Sequence, residues 1–225
     1  MNEIVLPVAL IRTLSLTLVI TSVLAVESRR LRFSTAAYVG QALLIVALLF
    51  SFARQNTALY WWGATALLTK AVLVPWLLFR YVGRTQEKEE PPLVGFGPSV
   101  VVAALLMVVF FHLTHTQVGV LAPGVEAARN EVLQTNLAVA ATVFVLGLYA
   151  LLTRRDAIKA VIGLCLLENG VHLSLVSLAP TLPETALFGV ASEVVVAVWL
   201  LLYMIQGVYR EFGTTDTLRL RELQW

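Results

Sequence analysis

The chain has 225 residues, 59% of them hydrophobic and 13% charged, with a mean hydropathy of +0.83. Soluble domains carry about 25% charged residues, so there are too few charges here to cover a water-facing surface, and a soluble globule is excluded. A net charge of +2 without any basic tract removes the electrostatic footprint of a nucleic-acid binder, and a single cysteine, Cys165, cannot form an internal disulfide, a four-cysteine zinc site or a self-ligated iron–sulfur cluster.

Taken in chain order, apolar stretches run approximately from Ile4 to Val26, Phe33 to Ala53, Thr57 to Phe79, Leu93 to Leu113, Val132 to Thr153, Ala157 to Leu178 and Thr185 to Tyr209. Each is close to the roughly 20 residues that cross about 30 Å of hydrocarbon. The first lacks a basic n-region and contains Arg12 within a long apolar run, so it is expected to remain as a membrane helix and not to be cleaved as a signal peptide. Alternating apolar and polar residues are absent and open strands cannot satisfy their backbone in lipid, which predicts an all-α polytopic bundle of about seven transmembrane helices. Pro91-Pro92, Pro123-Gly124 and the pair Pro180 and Pro183 punctuate the connectors. No internal repeat or low-complexity segment interrupts the pattern.

Basic residues are unevenly shared between alternate connectors. Arg29, Arg30, Arg32, Arg80, Arg84, Lys88, Arg154, Arg155, Lys159, Arg210, Arg219 and Arg221 fall on one side, against Arg54 and Arg129 on the other. The positive-inside rule then predicts an N-terminus outside and a C-terminus in the cytoplasm.

An ionisable residue at membrane depth costs about 2.5 to 3.5 kcal/mol on insertion scales, so each needs a reason. Lys70, Glu168, His172 and Glu193 are the deep candidates. At 1.5 Å per residue, Glu168 and Glu193 lie about 15 and 12 Å from the same turn, which gives the two carboxyls a common depth on consecutive antiparallel helices. Carboxyls buried together can load and release a proton near neutral pH; the alternative is a pair of structural carboxyls joining helices. His172 follows Glu168 by four residues and shares its face. Lys70 precedes Pro75 by five, a place where a broken helix can line an ion path or where the lysine can salt-bridge a partner subunit. Lys159 is expected to snorkel beside Asp156, and Trp61 with Trp62 to form an interfacial belt. His112 and His115 resemble a metal pair, but His172 lies deeper, which disfavours paired haem ligation.

Phe144-Val145-Leu146-Gly147-Leu148, Arg154-Arg155, Ile162-Gly163-Leu164, Asn169 and the glutamate of Ala191-Ser192-Glu193 resemble the K-type small subunit (NuoK-like, MrpC-like) of complex I and its hydrogenase and antiporter relatives. The whole chain, with four further spans in front, Leu167-Glu168-Asn169-Gly170, and the ending Phe212-Gly213-Thr214-Thr215-Asp216-Thr217, resembles component E of hydrogenase-4-type complexes (HyfE-like). Cys165 stands where the K-type subunit has its second-helix glutamate, so Glu168 takes that role from a neighbouring position.

The resemblance implies four N-terminal helices over 1–131, a NuoK-like three-helix module over 132–210 and a cytoplasmic tail over 211–225. It further implies a non-catalytic membrane subunit of a group 4 nickel–iron hydrogenase or related redox complex in a bacterial or archaeal inner membrane. Proton passage through Glu168, Glu193, His172 and Lys70 would be coupled to electron transfer elsewhere. No cofactor is expected in this chain; the nickel–iron and iron–sulfur centres belong to peripheral hydrogenase-like subunits, and antiporter-like and quinone-site-like subunits are its membrane partners. A subunit of a multisubunit Na+/H+ antiporter and a purely structural scaffold are the alternatives.

Overall fold

The computed structural model describes residues 8–53, 57–84, 92–121, 123–124, 130–178 and 184–217, the side chains of residues 58, 121 and 184–193 excepted. Its elements are α1 (Val8–Glu27), α2 (Leu31–Phe52), α3 (Ala58–Ala66), a π-helical segment (Leu67–Leu73), α4 (Val74–Val82), α5 (Phe96–Leu121), α6 (Glu131–Thr153), α7 (Ala157–Leu178) and α8 (Glu184–Phe212). With α3, the π-helical segment and α4 taken as one span, seven described helices are long and apolar enough to cross a membrane. The protein is an all-α, multi-pass membrane protein.

The fourth span differs from its expected limits. Hydropathy ends it near Leu113, but α5 continues to Leu121. Its polar residues stay helical because backbone bonds do not depend on side-chain polarity, and Thr116 Oγ1 folds back onto the His112 carbonyl at 2.8 Å.

The interior is divided into two apolar halves stacked along the bundle. One gathers Leu18, Ile45, Phe52, Trp62, Val143 and Leu173; the other gathers Val26, Tyr38, Leu78, Leu146, Ile162 and Val198. On α1, α2, the π-helical segment and α7 the changeover falls at buried polar residues: Ser22, Gln41, Lys70 and Asn169. A polar layer therefore lies midway through an otherwise apolar core, the depth at which such groups are most costly.

Helices α6 and α7 form the most extensive pair in the bundle. Their approach is set by glycine: a Cβ at Gly147 would lie 2.4 Å from Leu167 N and 2.7 Å from the Gly163 carbonyl, and one at Gly170 would lie 2.6 Å from Phe144 N. Small residues at such crossings let backbones meet where no hydrophobic driving force between helices exists in lipid.

The end of the bundle holding the α6–α7 turn is closed by polar clamps. Arg154, its side chain fully buried, reaches Glu27 Oε1 at 2.5 Å and Ser99 Oγ at 2.9 Å, joining α6 to α1 and α5. Past α8 the chain turns at Gly213, whose φ of +67° suits a residue without a Cβ. Thr215 Oγ1 then donates to Asp156 Oδ2 at 2.7 Å, Asp216 pairs with Arg155, and Thr217 N donates to the Arg155 carbonyl at 2.9 Å. This hook ties the end of α8 to the turn between α6 and α7. Asp216→Ala should remove a charged contact worth about 1.5–3 kcal/mol. The expected result is a lower thermal unfolding midpoint for the detergent-solubilised protein; an unchanged midpoint would leave the hook without a stabilising role.

Lys159 departs from expectation. It does not snorkel: it is 1% exposed and donates to the carbonyls of Ala25 and Val26 at 2.9 and 2.8 Å. The last carbonyls of α1 lack intrahelical partners, and a buried ammonium satisfies them while meeting the negative end of the helix dipole. Asp156 Oδ1 accepts from Ile158 N and Lys159 N, capping α7.

Candidate functional site

The local cause of the site is Pro75. Lacking an N–H, it cannot bond the carbonyl one turn earlier, and the helix ahead of it widens into a π-helical turn in which Val74 N donates to the Thr69 carbonyl. Such turns insert an extra residue into the helical register and are common at functional sites. Lys70 sits inside this turn, 1% exposed.

Its ammonium has three N–H donors and no lone pair, and three acceptors surround it. Asn169 Oδ1 lies at 2.7 Å, His172 Nδ1 at 2.5 Å and Glu168 Oε1 at 3.1 Å. With Nδ1 accepting from the ammonium, the imidazole carries its proton on Nε2. That nitrogen faces Glu168 Oε1 at 3.5 Å, across one helical turn. Lysine, glutamate and histidine thus form a closed triangle in which every edge is a candidate proton donor–acceptor pair.

The surroundings are asymmetric. On the inner side Asn169 Nδ2 donates to Gln41 Oε1 at 3.2 Å, and Gln41 Nε2 to Ser22 Oγ at 2.8 Å. The Tyr38 hydroxyl faces Asn169 and the Cys165 thiol. Trp62 packs edge-on to the His172 ring, with centroids 5.3 Å apart. On the outer side Glu168 and His172 border a groove of about 280 Å³ between α7 and α8, otherwise lined by apolar residues such as Leu164, Leu167 and Ala197. Glu168, 18% exposed, is the member of the triangle that opens to it.

Buried ion pairs lose several kcal/mol per charge in desolvation and often only break even against apolar packing. The Lys70–Glu168 pair is therefore poorly explained as a device for stability. Its position within a broken helix makes it the candidate functional site.

The structure brings three of the four expected residues together: Lys70, Glu168 and His172. The Glu193 side chain lies outside the described residues. Of the two readings of Lys70, a salt bridge reserved for a partner subunit is corrected, since the lysine is engaged within its own chain. Trp62 is also corrected: it is 2% exposed and directed at His172, whereas Trp61 is 61% exposed. Two adjacent residues on a helix point about 100° apart, so the pair cannot share one interfacial belt. Among the described residues no group of three metal-ligating side chains occurs; His115 stacks on Phe111 with centroids 5.8 Å apart. Ser22, Gln41 and Asn169 were not expected at the site. Gln41 and Asn169, amides in the middle of apolar spans, were the available signals for the network.

Fold and site together define a polytopic helical membrane protein with a cluster of buried ionisable side chains at mid-depth. Comparison with known proteins narrows this class. Hydrogenase-4 component E of Escherichia coli K12 is 30% identical over 213 residues, covering 92% of this chain and 94% of that protein, and the chain belongs to the hydrogenase-4 component E family. An uncharacterized protein of Mycobacterium tuberculosis is 31% identical over 211 residues, 92% of each chain. The family model for NADH-ubiquinone/plastoquinone oxidoreductase chain 4L matches residues 135–225. NAD(P)H-quinone oxidoreductase subunit 4L of the Nephroselmis olivacea chloroplast is 32% identical over 101 residues, 42% of this chain and 99% of that one. No solved structure matches the chain.

Proposed function

We propose that this chain is a non-catalytic membrane subunit of a complex I-related nickel–iron hydrogenase, and that Lys70, Glu168, His172 and Glu193 form part of a transmembrane proton path driven by electron transfer in partner subunits. The observation that carries the reading is the closed Lys70–Glu168–His172 triangle at mid-depth. A proton reaching Glu168 from the groove neutralises the carboxylate that holds the ammonium. Lys70 then transfers a proton to His172 Nδ1, the imidazolium releases its Nε2 proton to the next acceptor of the path, and Glu168 returns its own proton to the Lys70 amine, so that one proton enters and one leaves; return of the imidazole to its Nε2–H tautomer resets the site. Glu193, at a depth matching Glu168 by residue count, is the next carboxyl on α8. The hydrogenase chemistry, with its nickel–iron and iron–sulfur centres, belongs to peripheral subunits, and antiporter-like and quinone-site-like subunits flank this one in the inner membrane. Residues 132–210 are the NuoK-like module.

Glutamine keeps the volume of glutamate but cannot take up and release a proton. Compared at equal amounts of assembled complex, Glu168→Gln and Glu193→Gln are each expected to slow proton uptake by vesicles containing the complex by about a hundred-fold per electron transferred, the low end for a lost acid–base group. The double variant should be little worse than the worse single, since members of one path are non-additive. Full uptake per electron in either single variant would remove that carboxyl from the path.

The reading also requires an orientation, N-terminus outside and C-terminus cytoplasmic, supported by the uneven basic residues. A reporter fused after Trp225 should be cytoplasmic and one inserted at Gly124 external. The opposite pattern would overturn that orientation.

A further inference from the structure

The inner side of the triangle ends in a hydrogen-bonded chain that crosses three helices. Lys70 Nζ donates to Asn169 Oδ1 at 2.7 Å, Asn169 Nδ2 to Gln41 Oε1 at 3.2 Å, Gln41 Nε2 to Ser22 Oγ at 2.8 Å, and Ser22 Oγ to the Leu18 carbonyl at 2.7 Å. Ser22, Gln41 and Asn169 are fully buried, so water cannot substitute for a missing partner.

The ends of this chain decide its direction. A backbone carbonyl can only accept and an ammonium can only donate, while each group between them uses one donor and one acceptor. Only one sense satisfies every link, and it points the oxygen of Asn169 at Lys70. The Tyr38 hydroxyl beside Asn169 can donate or accept and so does not choose between the two orientations. If the anchor at Ser22 is lost, only the ammonium still fixes the sense, and once Lys70 has given up its proton Gln41 and Asn169 can reverse together and turn the Asn169 NH2 toward the amine. Side-chain amides do not pass protons onward without tautomerising, so the chain is an orienting device and not a second proton wire.

We propose that Ser22 and Gln41 are positioning residues of the Lys70 site, holding the Asn169 oxygen against the Lys70 ammonium from two helices away. The inference rests on the reading of Lys70 and Glu168 as a proton path. Its logic is that of a preorganised electrostatic site: the acceptor is fixed in advance and does not follow the charge of the lysine. Neither residue touches the transferred proton.

The test is proton uptake per electron by vesicles carrying the whole complex, normalised to the amount of this subunit assembled. Ser22→Thr and Ser22→Val have nearly the same shape and differ only in the hydroxyl. Thr is expected to stay within about two-fold of the parent and Val to fall about five-fold below Thr, the loss that one net hydrogen bond represents. Gln41→Leu should fall as far as Ser22→Val, and the combined variant no further, because both break one chain. Where Gln41→Leu does not accumulate, the Thr and Val pair still decides. Equal uptake in the Thr and Val variants overturns the proposal, whether both are normal or both are low, since packing alone would then account for Ser22. Lys70→Met and Glu168→Gln are measured alongside. If uptake survives in those two, the proton-path reading fails and takes this proposal with it; if it is lost there but retained in Ser22→Val and Gln41→Leu, only the positioning role fails.

Discussion

Lys70→Met is expected to destabilise the protein by about 3–5 kcal/mol and to abolish proton uptake, the largest effect of any single substitution in the polar layer. Methionine fills most of the lysine volume but leaves Glu168 without its countercharge and Asn169 Oδ1 and His172 Nδ1 without their donor. A buried charge stripped of its partner is penalised far more than the intact pair was rewarded. Two consequences can be separated. Adding Glu168→Gln to Lys70→Met removes the orphaned charge, so the double variant should regain much of the lost stability yet remain unable to move protons. Thermal unfolding in detergent and vesicle uptake read the two quantities independently. Parental stability and uptake in Lys70→Met would reject any role for the lysine beyond packing.

Gly147→Ala is expected to be the most damaging methyl group that can be added to the bundle. Its Cβ would meet the α7 backbone, 2.4 Å from Leu167 N, 2.7 Å from the Gly163 carbonyl and 2.8 Å from Leu167 Cα. Backbone atoms cannot rotate aside as a side chain would, so α6 and α7 must separate. Overpacking of this kind costs typically 1–3 kcal/mol and occasionally more. The displacement also reaches the site, because Leu167 adjoins Glu168 and any shift of α7 changes its 3.1 Å approach to Lys70. Low accumulation is expected, with reduced uptake in whatever assembles. Gly207→Ala is the matched control: a Cβ there meets nothing within 4 Å, and alanine is the better helix former by about 1 kcal/mol. If Gly147→Ala accumulates and functions as well as Gly207→Ala, the tight crossing is not required.

Neighbouring parts of the sequence differed in how much they revealed. The strings around Gly147, Gly163 and Gly170 stood out as family resemblance, but nothing local showed that these glycines face one another across α6 and α7. The ending from Phe212 to Thr217 was likewise recognisable, and its use as a hook appears only once α8 returns beside Arg155 and Asp156. The burial of Lys159 was not legible because its partners, the carbonyls of Ala25 and Val26, lie 134 and 133 residues away along the chain. Helical spacing describes neighbours on one helix and carries no information about the open end of another.

The sequence by itself determined the solvent, the secondary structure and the residues that need an explanation. Lipid admits only backbone that satisfies itself, so a run of about 20 apolar residues dictates a helix whatever it packs against. For the same reason Lys70, Glu168 and His172 stood out: a charge in hydrocarbon is costly wherever the helices go. Tertiary structure alone decided which of these residues meet, because that depends on the rotation of each helix about its own axis. The π-helical turn before Pro75 sets that rotation for Lys70, and the glycine-mediated approach of α6 sets α7 in place. Helical register then brings Lys70 to Glu168, Asn169 and His172, turns Trp62 inward and Trp61 outward, and makes Ser22, Gln41 and Asn169, whose pairing no local pattern shows, into a single oriented chain.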